Sequence, residues 1–216
     1  MEQKPVEASQ PVSQVSLDAK IEVRDSDLFI KYFIKNQGER DIYAFNRLVR
    51  LSPDGSGKVD PDLAYVTFSD DLTATISKSA QKIPSGLQVT QVESPYLTLV
   101  RAGETFQEEV KLPLPLTEHH PYLPMLRLTR PEGKNKEIMQ TQTRMIRFEL
   151  GYLVKNDERQ MLAFEEGGET LYAMRGQFDA PRDQQFLRSQ PVSLAVPALI
   201  PKDVVVRQST GTKGRQ

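Results

Sequence analysis

The 216-residue chain has no cysteine, no tryptophan and only two histidines, His119 and His120. Without cysteine there are no disulfides and no thiolate metal sites, which fits a reducing cytoplasm and equally a bacterial periplasmic protein that does without disulfides. Formal net charge is −1, so no general pull toward nucleic acid or anionic lipid is expected. No apolar run approaches the roughly 20 residues of a membrane-spanning helix. No signal-peptide pattern is read at the start of the chain, and no G-x-S-x-G segment offers a serine nucleophile.

What the chain does have is strict alternation. Val15 to Arg24 reads V-S-L-D-A-K-I-E-V-R, with Val15, Leu17, Ala19, Ile21 and Val23 on one side and polar residues on the other. A period of two marks a strand with one face in a core and one in water. Asp27–Asn36 repeats it, with Leu28, Ile30, Tyr32 and Ile34 on one face. Asp41–Leu51 follows with Tyr43, Phe45, Val49 and Leu51, and Arg144–Lys155 places Ile146, Phe148, Leu150, Tyr152 and Val154 together. Pro191–Ile200, bracketed by prolines, reads as an edge strand. Shorter strands are expected at Ala64–Phe68 and Leu72–Ser77.

Between these lie turn signals. The 36–40 segment reads as a hairpin loop with Gly38 free to take positive φ. Residues 102–104 join 96–101 to 105–112 as a second hairpin. The 165–169 segment, E-E-G-G-E, is a third. Residues 52–62, with two prolines and two glycines, read as a loop. Four prolines between Leu112 and Pro124 exclude a central strand and suggest a crossing between sheets. About eleven short strands at roughly ten-residue spacing argue for an antiparallel sandwich. The phrase L-T-L-V-R-A-G-E-T-F-Q-E-E-V-K-L-P-L resembles a strand pair of immunoglobulin-like and fibronectin-like bacterial domains, and the resemblance implies that architecture. The expected fold is thus an all-β, immunoglobulin-like or fibronectin-like β-sandwich with extra hairpins and long loops.

Residues 1–14 are polar and proline-bearing, too poor in apolar surface to order themselves. They look like the tether that follows the lipidated cysteine of bacterial lipoproteins. The expected organisation is a tether at 1–14, one sandwich domain at 15–207, with two halves split near 113–123 as the alternative, and a disordered tail at 208–216.

Groups that carry chemistry are few. His119 and His120 are adjacent, so in extended backbone their rings point to opposite sides and one ion is hard for both to reach, even with Glu118 beside them. The D-G-S-G-K-V-D-P-D segment at 54–62 lacks the first glycine of a phosphate loop and has Val59 where a magnesium-binding hydroxyl is needed. Read as a calcium loop, it puts Lys58 at a ligand position. Asp60, Asp62, Asp70 and Asp71 could still converge through the fold. The basic stretch from Arg127 to Arg147 has no interleaved aromatics for base stacking and reads as a solvated loop. Glu104, Glu108, Glu109 and the 165–169 glutamates read as solvated faces. No metal and no cofactor is expected.

One strand stands apart. The second face of Asp27–Asn36 carries Phe29, Lys31, Phe33 and Lys35, an apolar stripe edged by lysine and the candidate interaction face. The expected function is a non-enzymatic interaction or accessory module that recognises a protein partner in the periplasm or bacterial cell envelope, with the cytoplasm as alternative. A lipid anchor in a native precursor fits this reading, and nucleic acid and a membrane span do not. A carbohydrate-binding module or a β-sandwich hydrolase are the competing classes. With seven tyrosines and no tryptophan, sugar-stacking aromatics are in short supply.

Overall fold

The computed structural model describes residues 14–51, 56–69, 71, 73–89, 95–123, 137–175 and 180–201. Residues 1–13 of the expected 1–14 tether, the tail at 208–216 and residues 127–136 of the basic stretch lie outside the described residues. Gln14, assigned to the tether, accepts a backbone hydrogen bond from Gln37 at 2.8 Å.

The fold is all-β. Strands β1 (Val15–Arg24), β2 (Asp27–Asn36) and β8 (Thr105–Pro113) form a three-stranded antiparallel sheet in the order β1-β2-β8. The larger sheet is built from β3 (Ile42–Leu51), β7 (Tyr96–Val100), β9 (Leu116–Thr117), β10 (Glu137–Val154), β11 (Met161–Glu166), β12 (Glu169–Met174) and β14 (Val192–Pro201), in the order β11-β12-β7-β3-β10-β14-β9. Short strands β4 (Gly57–Asp60), β5 (Tyr65–Phe68), β6 (Thr73–Lys78) and β13 (Gln185–Arg188) attach along it, β6 running parallel to β10. A single helical turn, α1, spans Ala180–Asp183.

One core lies between the two sheets. Leu28, Ile30, Tyr32 and Ile34, the alternate residues of β2, are fully buried against Ile76, Ile146, Phe148, Leu150 and Val196 of the large sheet. The Tyr32 and Phe148 rings meet at 4.7 Å between centroids. A second apolar cluster sits on the other side of the large sheet, where Tyr43, Phe45, Leu97, Leu153 and Met174 pack with Ala180 of α1. Strand β3 separates the two clusters. Ile42 and Ala44 face the first and Tyr43 and Phe45 the second, so it is buried on both faces rather than one. A register shift between Ala44 and Arg47 then breaks the parity expected to run from Tyr43 to Leu51.

Two expected hairpins are crossings. Strands β2 and β3 lie in different sheets, as do β7 and β8, so the 36–40 and 102–104 turns each carry the chain from one sheet to the other. They run side by side. Asn36 N–H donates to the Glu104 carbonyl (3.0 Å), Gly103 N–H donates to the Asn36 carbonyl (2.7 Å), and the buried Asn36 amide reaches the Arg40 carbonyl (2.9 Å) and the Val100 carbonyl (3.2 Å). Positive φ falls on Gly103 and not on Gly38, because the Asn36 side chain organises that turn by accepting from Gly38 N–H. The proline-rich stretch is a crossing, as read from its composition: it leaves β8 and enters the large sheet at β9, parallel to β14.

Other elements differ in extent. The expected 52–62 loop contains β4, paired with β3, and β10 is an 18-residue strand rather than one beginning at Arg144. The 165–169 hairpin is as expected: Gly167 and Gly168, at φ 60° and 83°, form the two-residue turn that only positive φ at both positions allows.

Candidate functional site

Between the sheets the chain buries a set of charged groups. Glu108 was expected on a solvated face, yet it shares the inward parity of Phe106, Val110 and Leu112 on β8 and stands opposite Tyr32 of β2. Its carboxylate accepts from the Tyr32 hydroxyl and pairs with the Arg47 guanidinium. Lys78, fully buried at the end of β6, donates to the Pro61 carbonyl (2.5 Å) and the Asn46 carbonyl (3.1 Å), with Glu108 Oε2 at 3.5 Å. The Asn46 amide is satisfied with its nitrogen toward the Thr98 hydroxyl (2.8 Å) and the Ala44 carbonyl (3.0 Å) and its oxygen accepting from Arg47 Nη1 (2.9 Å). Arg47 also reaches outward to Glu169 of the β11–β12 hairpin at 2.7 Å. One carboxylate of β8 thereby ties the small sheet to β3 and β6 of the large one.

The low-dielectric setting shifts these groups. Burial, and then the Glu108 carboxylate, hold the Tyr32 hydroxyl well above the ordinary phenol range. Burial pulls the Lys78 ammonium down from the usual lysine range, against the pull of Glu108 in the other direction. Both side chains are closed off from the surface, so neither presents its reactive atom to a substrate. A raised Tyr32 has a pH consequence. Its contribution to stability is constant below about pH 10, where unfolded tyrosine is also protonated, and is lost as pH rises beyond that, since only the unfolded chain then releases the proton. Ultraviolet titration of the wild type and of Tyr32→Phe should therefore coincide until the wild type unfolds. A Tyr32 that ionises along with the exposed tyrosines would contradict the network.

An open cleft of about 380 Å³ lies beside this network. Its rim carries Arg50, Asp62, Lys111 and His119, and its floor includes Leu63, Val66, Leu112 and Leu116. Pro61 and Asp62 stand between the two: Pro61 receives the Lys78 ammonium, and Asp62 accepts the backbone N–H of Lys111 at 2.9 Å. His119 sits in the cleft wall because its backbone bridges to Val66 in both directions, at 2.8 and 2.9 Å. His119 and His120 both approach the Tyr65 ring, at 6.0 and 6.2 Å. Packing around the two rings lowers both imidazoles below the ordinary histidine range, helped by Arg50 at His119 and by His119 at His120.

The acidic turn residues are occupied locally. Asp60 pairs with Arg50 at 2.7 Å, and Asp71 accepts from the Ser69 hydroxyl (2.5 Å) and Thr73 N–H (3.1 Å). Asp54 and Asp70 lie outside the described residues. Among the described residues, no three histidine, aspartate or glutamate side chains gather at a point where an ion could sit. Arg144 belongs both to the basic stretch read as a solvated loop and, as its first residue, to an expected strand, and it lies in strand β10. It is buried on the core face of β10, two residues before Ile146, with Nη2 donating to Gln140 Oε1 (3.2 Å) and its guanidinium 5.6 Å from the Phe68 ring centre.

The face with Phe29, Lys31, Phe33 and Lys35 is the outer side of the three-stranded sheet, where β2 is the central strand. Phe29, Lys31 and Phe33 are half-buried and Lys35 is exposed. Their cross-strand neighbours are polar: Glu22 and Lys111 flank Phe29, and Asp18 and Gln107 flank Phe33. Cations lie over the rings, with Arg24 and Lys111 at 4.7 and 5.8 Å from the Phe29 centroid and Lys31 at 5.6 Å from that of Phe33. Long charged side chains of the same sheet thus give the partial cover, with their stems along the rings and their heads in water.

No helix among the described residues is long and apolar enough to cross a membrane. No protein-family model matches the chain, and neither a curated protein nor a solved structure does so.

Proposed function

We propose that the chain is a non-catalytic interaction module, an immunoglobulin-like or fibronectin-like β-sandwich that recognises a protein partner in the bacterial cell envelope. The observation that carries this reading is the outer face of the small sheet. Two half-buried phenylalanines share that face of its central strand, with Lys31 between them and cations lying over both rings. Aromatic and arginine side chains of this kind are what protein interfaces concentrate. The buried charges support it from the other direction, since Tyr32, Glu108, Arg47 and Lys78 are engaged with one another.

The test is Phe33→Ser together with a photo-crosslinking residue at position 33. Half-burial predicts a stability cost of about 1–2 kcal/mol, below the roughly 3 kcal/mol or more of a core phenylalanine, measured by denaturant melts. The crosslinker should give a discrete protein adduct in an envelope extract that is lost when Phe29 is also replaced by serine. Strong binding to a glycan array with no protein adduct would instead favour a carbohydrate-binding module.

A further inference from the structure

Among the described residues the large sheet ends at β11. Among the described residues β11 pairs with β12 alone. Arg175 N–H donates to the Gln160 carbonyl at 3.0 Å, which makes residues 160 and 175 a hydrogen-bonded pair. Antiparallel alternation then directs the N–H and C=O groups of Met161, Ala163 and Glu165 away from β12, toward the free edge. Exposed edges are ordinarily blunted by proline, lysine or a bulge. Here β11 reads M-L-A-F-E-E, in continuous register with its partner, and has none of these. Leu162 is 58% exposed, the most exposed large apolar side chain among the described residues.

The hairpin holds this edge in place. Its turn is set by Gly167 and Gly168. Phe164 meets the Tyr96 ring at 4.8 Å, Tyr172 meets Tyr43 at 5.1 Å, and Glu169 is latched to Arg47. The edge is therefore a presented strand rather than a frayed one, and its ordering entropy is already spent before anything binds. Its chemistry is polarised along its length. Met161 to Phe164 are apolar, Glu165 and Glu166 put one carboxylate on each face at the turn end, and no lysine or arginine lies between residues 160 and 174.

We propose that the free edge of β11 receives an extended segment of a partner protein, apolar opposite Met161–Phe164 and basic opposite Glu165 and Glu166, as an added strand of the large sheet. Backbone hydrogen bonds to Met161, Ala163 and Glu165 supply the docking, and the cross-strand side-chain pairs supply the preference for a basic end. The edge lies on the other sheet from Phe29 and Phe33 and does not depend on that face.

Synthetic peptides KKVTVTVT and EEVTVTVT, and the reversed TVTVTVKK, are the probes, with binding read from amide shifts of the full chain. One of the two lysine peptides should bind, antiparallel or parallel, with shifts centred on residues 160–166, and should outcompete the glutamate peptide at least tenfold at low salt. Ala163→Pro removes an N–H that faces away from β12, a position where an edge strand tolerates proline, and should cut binding at least tenfold. The double variant Glu165→Lys, Glu166→Lys should reverse the preference toward EEVTVTVT, which tests the edge even if the proline variant unfolds. Equal binding of the lysine and glutamate peptides, shifts that map elsewhere, or a dimer in sedimentation equilibrium that Ala163→Pro abolishes would each overturn the proposal, the last by making a second copy the occupant.

Discussion

Glu108→Ala should destabilise the fold by about 3–5 kcal/mol, the cost of breaking a buried ion pair and leaving its partners uncompensated. The same substitution at Glu109, one residue on, should cost within about 0.5 kcal/mol, as a surface change does. The contrast follows from where the two carboxylates point. Glu108 faces the core between Phe106 and Val110, where Tyr32, Arg47 and Lys78 converge on it. Without it the Tyr32 hydroxyl loses its acceptor, Arg47 keeps the Asn46 oxygen and, as its counter-charge, the half-exposed Glu169, and Lys78 keeps two carbonyls. Combining Glu108→Leu with Lys78→Met removes one charge of each sign. It should cost less than the sum of the two single changes, because a buried pair replaced by apolar groups can be close to neutral. Chemical denaturation measures all five variants, the two single changes included. A Glu108→Ala cost no larger than that of Glu109→Ala would mean that the carboxylate is solvated after all.

That network was half legible in the sequence. On β8, Glu108 shares parity with Phe106, Val110 and Leu112, and on β6, Lys78 shares it with Ala74 and Ile76. Polar residues on apolar faces are the signal, and only a set that closes on itself can be buried without large cost. Arg47 had no such signal, since the register shift in β3 resets parity just before it. The strands themselves were legible wherever one face is wet: β1, β2, the second half of β10 and β14 follow their alternation. Strand β3, wrapped by two apolar clusters, breaks the rule, as strands buried on both faces do. The pairing of strands was not legible. Alternation says that residues 27–36 and 42–51 are strands but not that they belong to different sheets, and a glycine-bearing turn of a few residues serves a hairpin or a crossing equally. Here the choice is made by long-range hydrogen bonds from Asn36 to Val100 and Glu104, which no local pattern contains. The short β13 and α1 carry too few residues for either period to show.

Phe148→Ala should cost about 3–5 kcal/mol, as truncating a buried aromatic does, or a fall in Tm of roughly 2–4 °C for each kcal/mol in a domain of this size. Phe148 is fully buried at the centre of β10, flanked by Ile76 on β6, and its backbone N–H and C=O are held by Ser189 at 3.0 and 2.9 Å. The backbone therefore has little freedom to collapse into the vacated volume, which puts the site toward the costly end of the range. Among the described aromatic rings of the opposite sheet, the one it meets is Tyr32, at 4.7 Å between centroids. Because the two sheets share this contact, Tyr32→Leu and Phe148→Ala should be non-additive by about 0.5–3 kcal/mol. The wild type and both variants should also unfold in one transition by every probe. Additive effects with two separated transitions would mean that the small sheet folds apart from the large one, and the chain would then divide at the proline-rich crossing between β8 and β9. A single transition with measurable coupling joins the outer face of Phe29 and Phe33 to the same cooperative unit as the β11 edge, through Tyr32, Glu108 and Arg47.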